Sequence, residues 1–288
     1  MLRKKRSKVL MIVFFSIVFI LAVIVIFFNI PCSKTRSKFN QLQKQYASQI
    51  TDKDEIITEE SIKNLPAPVQ KYFRYCGYLG TPMRSYMKAE FKDVKFRITT
   101  KGKPSEIRIN YTQYNFSDIP QRFAYIDSRF HGIPFEGLDS YENGVGSMKG
   151  AIAKVIPLFD ERGEAMDKAC LVTFLADGIL FPFTLLNDYI SWESIDDTHA
   201  KAVISYYGIS AGGIFTFDEN GAILSFRTGD RASIDMDGTT RYSEWSALCS
   251  EYERTNGIFH PTVLKAVWHY PEGDFTYFDG NDVMIEYR

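Results

Sequence analysis

Residues 9–30 read VLMIVFFSIVFILAVIVIFFNI, an apolar run broken only by Ser16 and Asn29. As a helix, its twenty-two residues rise ~33 Å, enough to cross a hydrocarbon core of ~30 Å. The core of a cleaved signal peptide is shorter, ~7–15 residues, and ends in small side chains. Asn29-Ile30-Pro31 does not offer them, and Ile30-Pro31 is no lipobox before Cys32. The pattern predicts an uncleaved signal anchor at residues 9–30 behind a basic tail at residues 1–8.

The pattern then changes twice. Residues 33–49 are polar, with Phe39, Leu42 and Tyr46 as a thin helical stripe, so residues 31–57 are expected to form a stalk with at most a narrow partner face. Residues 58–81 read as a helical segment. Thr58 is placed to cap one short helix, with Ser61 where the capping-box Glu would stand. Pro68 suits the first turn of a second helix, which carries Val69, Tyr72, Phe73 and Cys76 on one face and ends at Gly77. From residue 82 onward a period of two takes over. Residues 86–91, 107–111 and 201–206 alternate, and residues 214–217 and 222–226 flank Asp218-Glu219-Asn220-Gly221 as a hairpin. Asn143-Gly144, Asp237-Gly238, Asn256-Gly257, Glu272-Gly273 and Asp279-Gly280 mark further turns. Residues 164–176 (EAMDKACLVTFLA) break the alternation, which places short helices near 163–187. The expected fold is mainly β (α+β): residues 82–288 form a large curved antiparallel sheet or half-open barrel enclosing a helix.

Charge sets the orientation. Arg3, Lys4, Lys5, Arg6 and Lys8 precede the span with no acid among residues 1–30, leaving 29 basic against 35 acidic side chains beyond it. The dense basic flank predicts a cytoplasmic N-terminus, with residues 31–288 outside the cell membrane. A body with a net charge of −6 argues against a nucleic-acid binder.

Few residues carry a recognisable chemistry. No Walker loop, GxGxxG, GxSxG or HExxH occurs. Cys32, Cys76, Cys170 and Cys249 form no CxxC, which argues against zinc; Cys32 lies where S-acylation can occur. Aligned on Gly238, Asp235, Asp237 and Glu244 occupy three positions of a calcium loop. Ser233 replaces the first carboxylate, and the strand-like flanks favour an ordinary hairpin turn. Asp196-Asp197, Asp235/Asp237 and Asp279/Asp282 are carboxylate pairs of the kind glycoside hydrolysis needs, although turn aspartates are more often solvated. His131 with Asp139 is the remaining candidate catalytic pair. No cofactor is expected. The strongest signal is aromatic weight: 38 of the 43 aromatic side chains lie beyond the anchor, including Trp192, Trp245 and Trp268. They suit a sheet core, or a concave sheet holding an apolar ligand such as a lipid chain.

Leu65-Pro66-Ala67-Pro68-Val69-Gln70-Lys71-Tyr72-Phe73 resembles the LPxPVQxYF opening of a group of uncharacterised bacterial membrane-anchored proteins. Residues 137–148, Trp192 with Asp196 and Ala200, residues 217–221 with Arg231, Trp245, and Pro261 with Trp268 are similar as well. The strand-rich part resembles a lipoprotein-carrier type of half-open barrel, with Phe181-Pro182 as its aromatic-proline element. These resemblances imply an architecture and assign no reaction. The expectation is a non-enzymatic envelope domain binding a lipophilic or envelope-associated ligand through Phe181, Trp192, Trp245 and Trp268. The alternatives are an extracytoplasmic hydrolase and a scaffold for an undefined protein partner.

Overall fold

The computed structural model describes residues 2–50, 54–100, 103–234 and 238–288. The apolar run forms α1 (Leu2–Asn29), whose side chains from Val9 onward are almost all exposed. It is long and apolar enough to cross a membrane. Ser33 caps α2 (Lys34–Ala47) by accepting a 3.0 Å hydrogen bond from the Arg36 amide. The Phe39, Leu42 and Tyr46 stripe is used within the chain: it packs on Tyr86, Phe116, Phe123, Tyr125 and Leu138 of the sheet. The α2 part of the expected stalk is therefore laid along the sheet's outer face, because three apolar residues at helical spacing find these five aromatic and aliphatic partners there.

Two short helices follow. In α3 (Glu59–Ile62) the capping box is complete with serine in place of glutamate: Ser61 N donates to Thr58 Oγ1 (3.3 Å) and Thr58 N to Ser61 Oγ (3.1 Å). α4 (Ala67–Tyr75) begins after Pro66 and buries Val69, Tyr72 and Phe73 completely. Gln70 Nε2 donates to Leu65 O (2.8 Å), fixing the entry into this helix.

Sixteen strands follow among the described residues. The first six are β1 (Tyr86–Thr100), β2 (Lys103–Phe116), β3 (Gln121–Phe130), β4 (Ile133–Glu142), β5 (Val145–Ile152) and β6 (Ile156–Glu161). Next comes α5 (Glu164–Ala176), then 3-10 turns at Asp177–Ile179 and Pro182–Leu186, in the stretch near 163–187 where the sequence pattern predicts short helices. The remainder are β7 (Ile190–Ser194), β8 (His199–Tyr206), β9 (Ile209–Phe217), β10 (Ile223–Thr228), β11 (Ala232–Ile234), β12 (Thr240–Tyr242), β13 (Glu244–Thr255), β14 (Ile258–Tyr270), β15 (Gly273–Gly280) and β16 (Met284–Tyr287).

Fourteen strands make one antiparallel sheet in the order β6-β5-β4-β3-β2-β1-β15-β14-β13-β10-β9-β8-β7, with β16 beside the start of β1 and a separate β11–β12 ribbon. The sheet curves without closing, β6 and β7 being its edges. α5 lies inside the curve, touching β4 and β5 on one side and β8 and β9 on the other. It is buried around most of its circumference, as its nearly unbroken apolar run requires.

Strand direction gives the sheet two distinct ends. The β1–β2, β3–β4, β5–β6 and β14–β15 turns lie at one end. The β2–β3, β4–β5, β9–β10 and β13–β14 turns lie at the other. α4 closes that second end: Phe259 N donates to Cys76 O (2.9 Å), and a Cβ on Gly221 would come within 2.9 Å of the Lys71 backbone. The motif around residues 65–73 is thus a plug for the core.

Candidate functional site

A cavity of about 580 Å³ lies between α5 and the inner face of the sheet. That is within the ~300–1,000 Å³ of ordinary ligand sites. The two-residue period decides what faces it. Trp245 and Trp268 are opposite one another on β13 and β14, with Tyr277 beyond them on β15, and all three line the cavity. Phe135, Met148, Phe159, Met166 and Phe278 add apolar wall.

Two arginines stand among these apolar walls. Arg122, on β3, is almost completely buried: Nη1 donates to Asp139 (2.6 Å), Nε to Asp177 (2.8 Å) and Nη2 to Tyr111 Oη (2.6 Å). The Gln113 and Asn115 amides also donate to the Asp177 carboxylate, at 2.7 and 3.0 Å. Burial pulls the Arg122 guanidinium down, but Asp139, Tyr111 and Asp177 outweigh it and hold the group well above the usual arginine value. Burial pushes the Asp177 carboxyl up, against the opposing pull of Arg122 and Asn115. Each of these side chains has partners within the cluster, which braces α5 and its following turn against β2–β4.

Arg231 is different. Its guanidinium carbon stands 4.7 Å from the Trp245 ring centre, 5.0 Å from Trp268 and 6.0 Å from Tyr277. Nε donates to Thr173 Oγ1 on α5 (3.0 Å). Among the described residues no carboxylate pairs with it. The aromatic faces stabilise the charge and leave the Nη donors in a partly covered, cavity-lining cation. Sequence reasoning placed Arg231 only within a resemblance. The missing signal was its contact with two tryptophans from distant strands.

The other sequence candidates fall in varied places. Trp245 and Trp268 come together at the cavity, whereas Trp192 packs on Phe215 and donates to Leu185 O (3.2 Å). Phe181 is fully buried and stacks on Tyr287, outside the cavity lining. Asp139 lines the cavity in its pair with Arg122, but His131 sits at the β3–β4 turn, with φ +49° and its ring against Phe130. Six residues of β4 separate that turn from Asp139, ~20 Å of strand, so the two form no catalytic pair. Cys170 Sγ lies 3.8 Å from Asp139, but burial pushes its thiol far up, which suits an inert side chain rather than a nucleophile. Glu244 pairs with Arg227 at the surface; Asp235 and Asp237 lie outside the described residues. No group of three metal-binding side chains occurs among the described residues.

A separate Ser246–His269–Asp274 chain crosses the outer face of β13–β15, with contacts of 2.9 and 2.7 Å. Ser246 is only 3 % exposed in a paired strand, while Asp274 is open to solvent. Ser246 and His269 line a groove on that face with Gly212, Gly213 and Thr228, and the chain is a hydrogen-bond relay from a buried hydroxyl to a solvent-facing carboxylate.

The fold and cavity define a class: an open antiparallel sheet wrapped on a helix around an amphipathic chamber. Residues 55–280 match the profile described as "Family of unknown function (DUF6544)", and the chain belongs to that family. Similar solved structures include a LolA superfamily protein from Nitrosomonas europaea, at 13% identity and TM-score 0.39, covering 81% of this chain and 94% of that one. A DUF1329 family protein from Desulfovibrio piger is similar at 14% identity and TM-score 0.38, with coverage of 78% and 94%. No curated protein matches in sequence.

Proposed function

We propose that this chain is a membrane-anchored, extracytoplasmic binding protein for an amphipathic ligand, an apolar body with an anionic head. The observation that carries the reading is Arg231, caged by Trp245 and Trp268 in an apolar cavity with no carboxylate partner among the described residues. The aromatic and aliphatic walls suit an acyl chain or comparable hydrocarbon, and the Arg231 fork suits a carboxylate or phosphate. Arg122 is already shared by two aspartates and serves as framework. The long exposed helix α1 supports the tether, and the basic residues before it support a cytoplasmic N-terminus.

The test is mass spectrometry of organic extracts from full-length protein purified in a lipid-like detergent, compared with Arg231→Met. An acidic lipophile recovered at near-equal molar amount from the native chain and depleted in the variant is expected. Empty extracts from well-folded native protein would sink the reading.

A further inference from the structure

The end of the sheet at which the cavity opens is the end to which α1 is fastened. Arg129 Nη2 donates to Phe28 O (3.3 Å) and Asn29 Oδ1 (3.0 Å). Lys154, 6 % exposed, donates to Phe27 O (3.0 Å) and to Ile30 O, and lies over the Phe27 ring. Two basic side chains from the β3–β4 and β5–β6 turns thus hold the carboxyl end of the helix, where its dipole favours cations. α2 then runs away from this end, from Arg36 beside Asp127 to Tyr46 bonded to Glu142.

These same turns expose apolar side chains. Phe130 is 50 % exposed, Val155 63 % and Ile156 54 %, and Ile133 and Leu158 are also open. The cavity mouth lies at their level. It is bordered by residues 96–99 of β1 and 272–275 around the β14–β15 turn, while Gln113 sits six residues of strand, ~20 Å, in from Ile107 opposite Phe96, and Arg122, opposite Asn115, lies two residues deeper. At the opposite end α4 closes the core.

We infer that the β3–β4 and β5–β6 turns seat in the headgroup layer of the bilayer that α1 crosses, so that the cavity mouth faces that layer and the ligand enters from the membrane. The inference rests on the reading that α1 spans a bilayer. A helix leaving the hydrocarbon at residues 27–30 puts whatever grips those residues at the membrane surface. Exposed aromatic and aliphatic tips beside Arg and Lys are the composition that partitions there. A hydrocarbon ligand then passes from acyl chains to an aromatic wall without crossing water.

The experiment uses the full chain, with Cys32→Ser to remove the exposed thiol, in nanodiscs of equal parts phosphatidylcholine and phosphatidylglycerol. An NBD fluorophore is attached at Val155→Cys or, at the far end of the sheet, at Ile119→Cys. Both positions are exposed, and circular dichroism checks that each variant folds. The expected result is blue-shifted NBD emission at position 155, most of it lost when the lipids carry nitroxide, with position 119 unaffected. Water-like, unquenched emission at position 155, or equal quenching at both, overturns the inference. The binding reading fails separately: empty organic extracts with a quenched probe at position 155 would remove the ligand and leave the seating.

Discussion

The Gly146 amide donates a 2.6 Å hydrogen bond to Asp167 Oδ1, joining β5 to the first turn of α5. A Cβ at position 146 would stand 2.5 Å from Met166 O and 2.9 Å from Cys170 Sγ, so helix and strand approach as closely as glycine permits. Gly146→Ala is expected to lift α5 from the sheet and cost ~1–3 kcal/mol. Urea denaturation of the full chain in detergent checks this; an unchanged midpoint would mean α5 is loosely held.

Arg122 serves two buried carboxylates at once. Arg122→Met leaves Asp139 and Asp177 facing each other's charge, with an expected loss of ~3–5 kcal/mol. Adding Asp139→Asn and Asp177→Asn should recover most of it, because the buried charge is then gone. A triple variant as unstable as the single one would show that packing, not charge, dominates.

Arg231→Met should separate the ligand's head from its tail. Loss of a charge-assisted hydrogen bond worth ~1.5–3 kcal/mol predicts roughly 10- to 100-fold weaker binding of a fluorescent fatty acid. The methyl ester of the same probe should lose much less. Equal losses for acid and ester would count against Arg231 as the head-group site.

All four cysteines are free, and only Cys32 is exposed. Burial pushes the Cys249 thiol up to about 12 and raises Cys76 and Cys170 as well. At neutral pH maleimide should therefore modify Cys32 quickly and the other three only after unfolding, read by intact mass. Rapid second labelling in the folded chain would contradict this core.

Asp196 builds the turn between β7 and β8. Hydrogen bonds from the Thr198 amide and from His199 Nδ1 hold its carboxyl at about 2, below the usual 3.8. A depressed carboxyl pKa stabilises the fold above the unfolded value, and that contribution is lost as pH falls through about 2. The native chain should thus exceed Asp196→Asn in melting temperature near neutrality, with the gap closing in strong acid. A gap independent of pH would assign the effect to turn geometry alone.

Local chemistry by itself determined the elements. The apolar stretch inside α1 (Leu2–Asn29), a helical interruption where α5 (Glu164–Ala176) stands and strands with a period of two follow from side-chain spacing, which neighbours along the chain suffice to set. The Asp218 turn is equally local: its carboxylate accepts from the amides of Asn220, Gly221 and Ala222. What only the tertiary structure decided is which aromatic residues are wall and which are packing. Trp192 and Trp245 read alike in sequence, yet one packs on Phe215 and the other faces Arg231. Curvature and strand order select between them, since a cavity is the space left where non-local surfaces fail to meet. The seat of α1 is of the same kind. Arg129 and Lys154 lie about a hundred residues or more from the helix end they hold, and no periodicity encodes a contact at that distance.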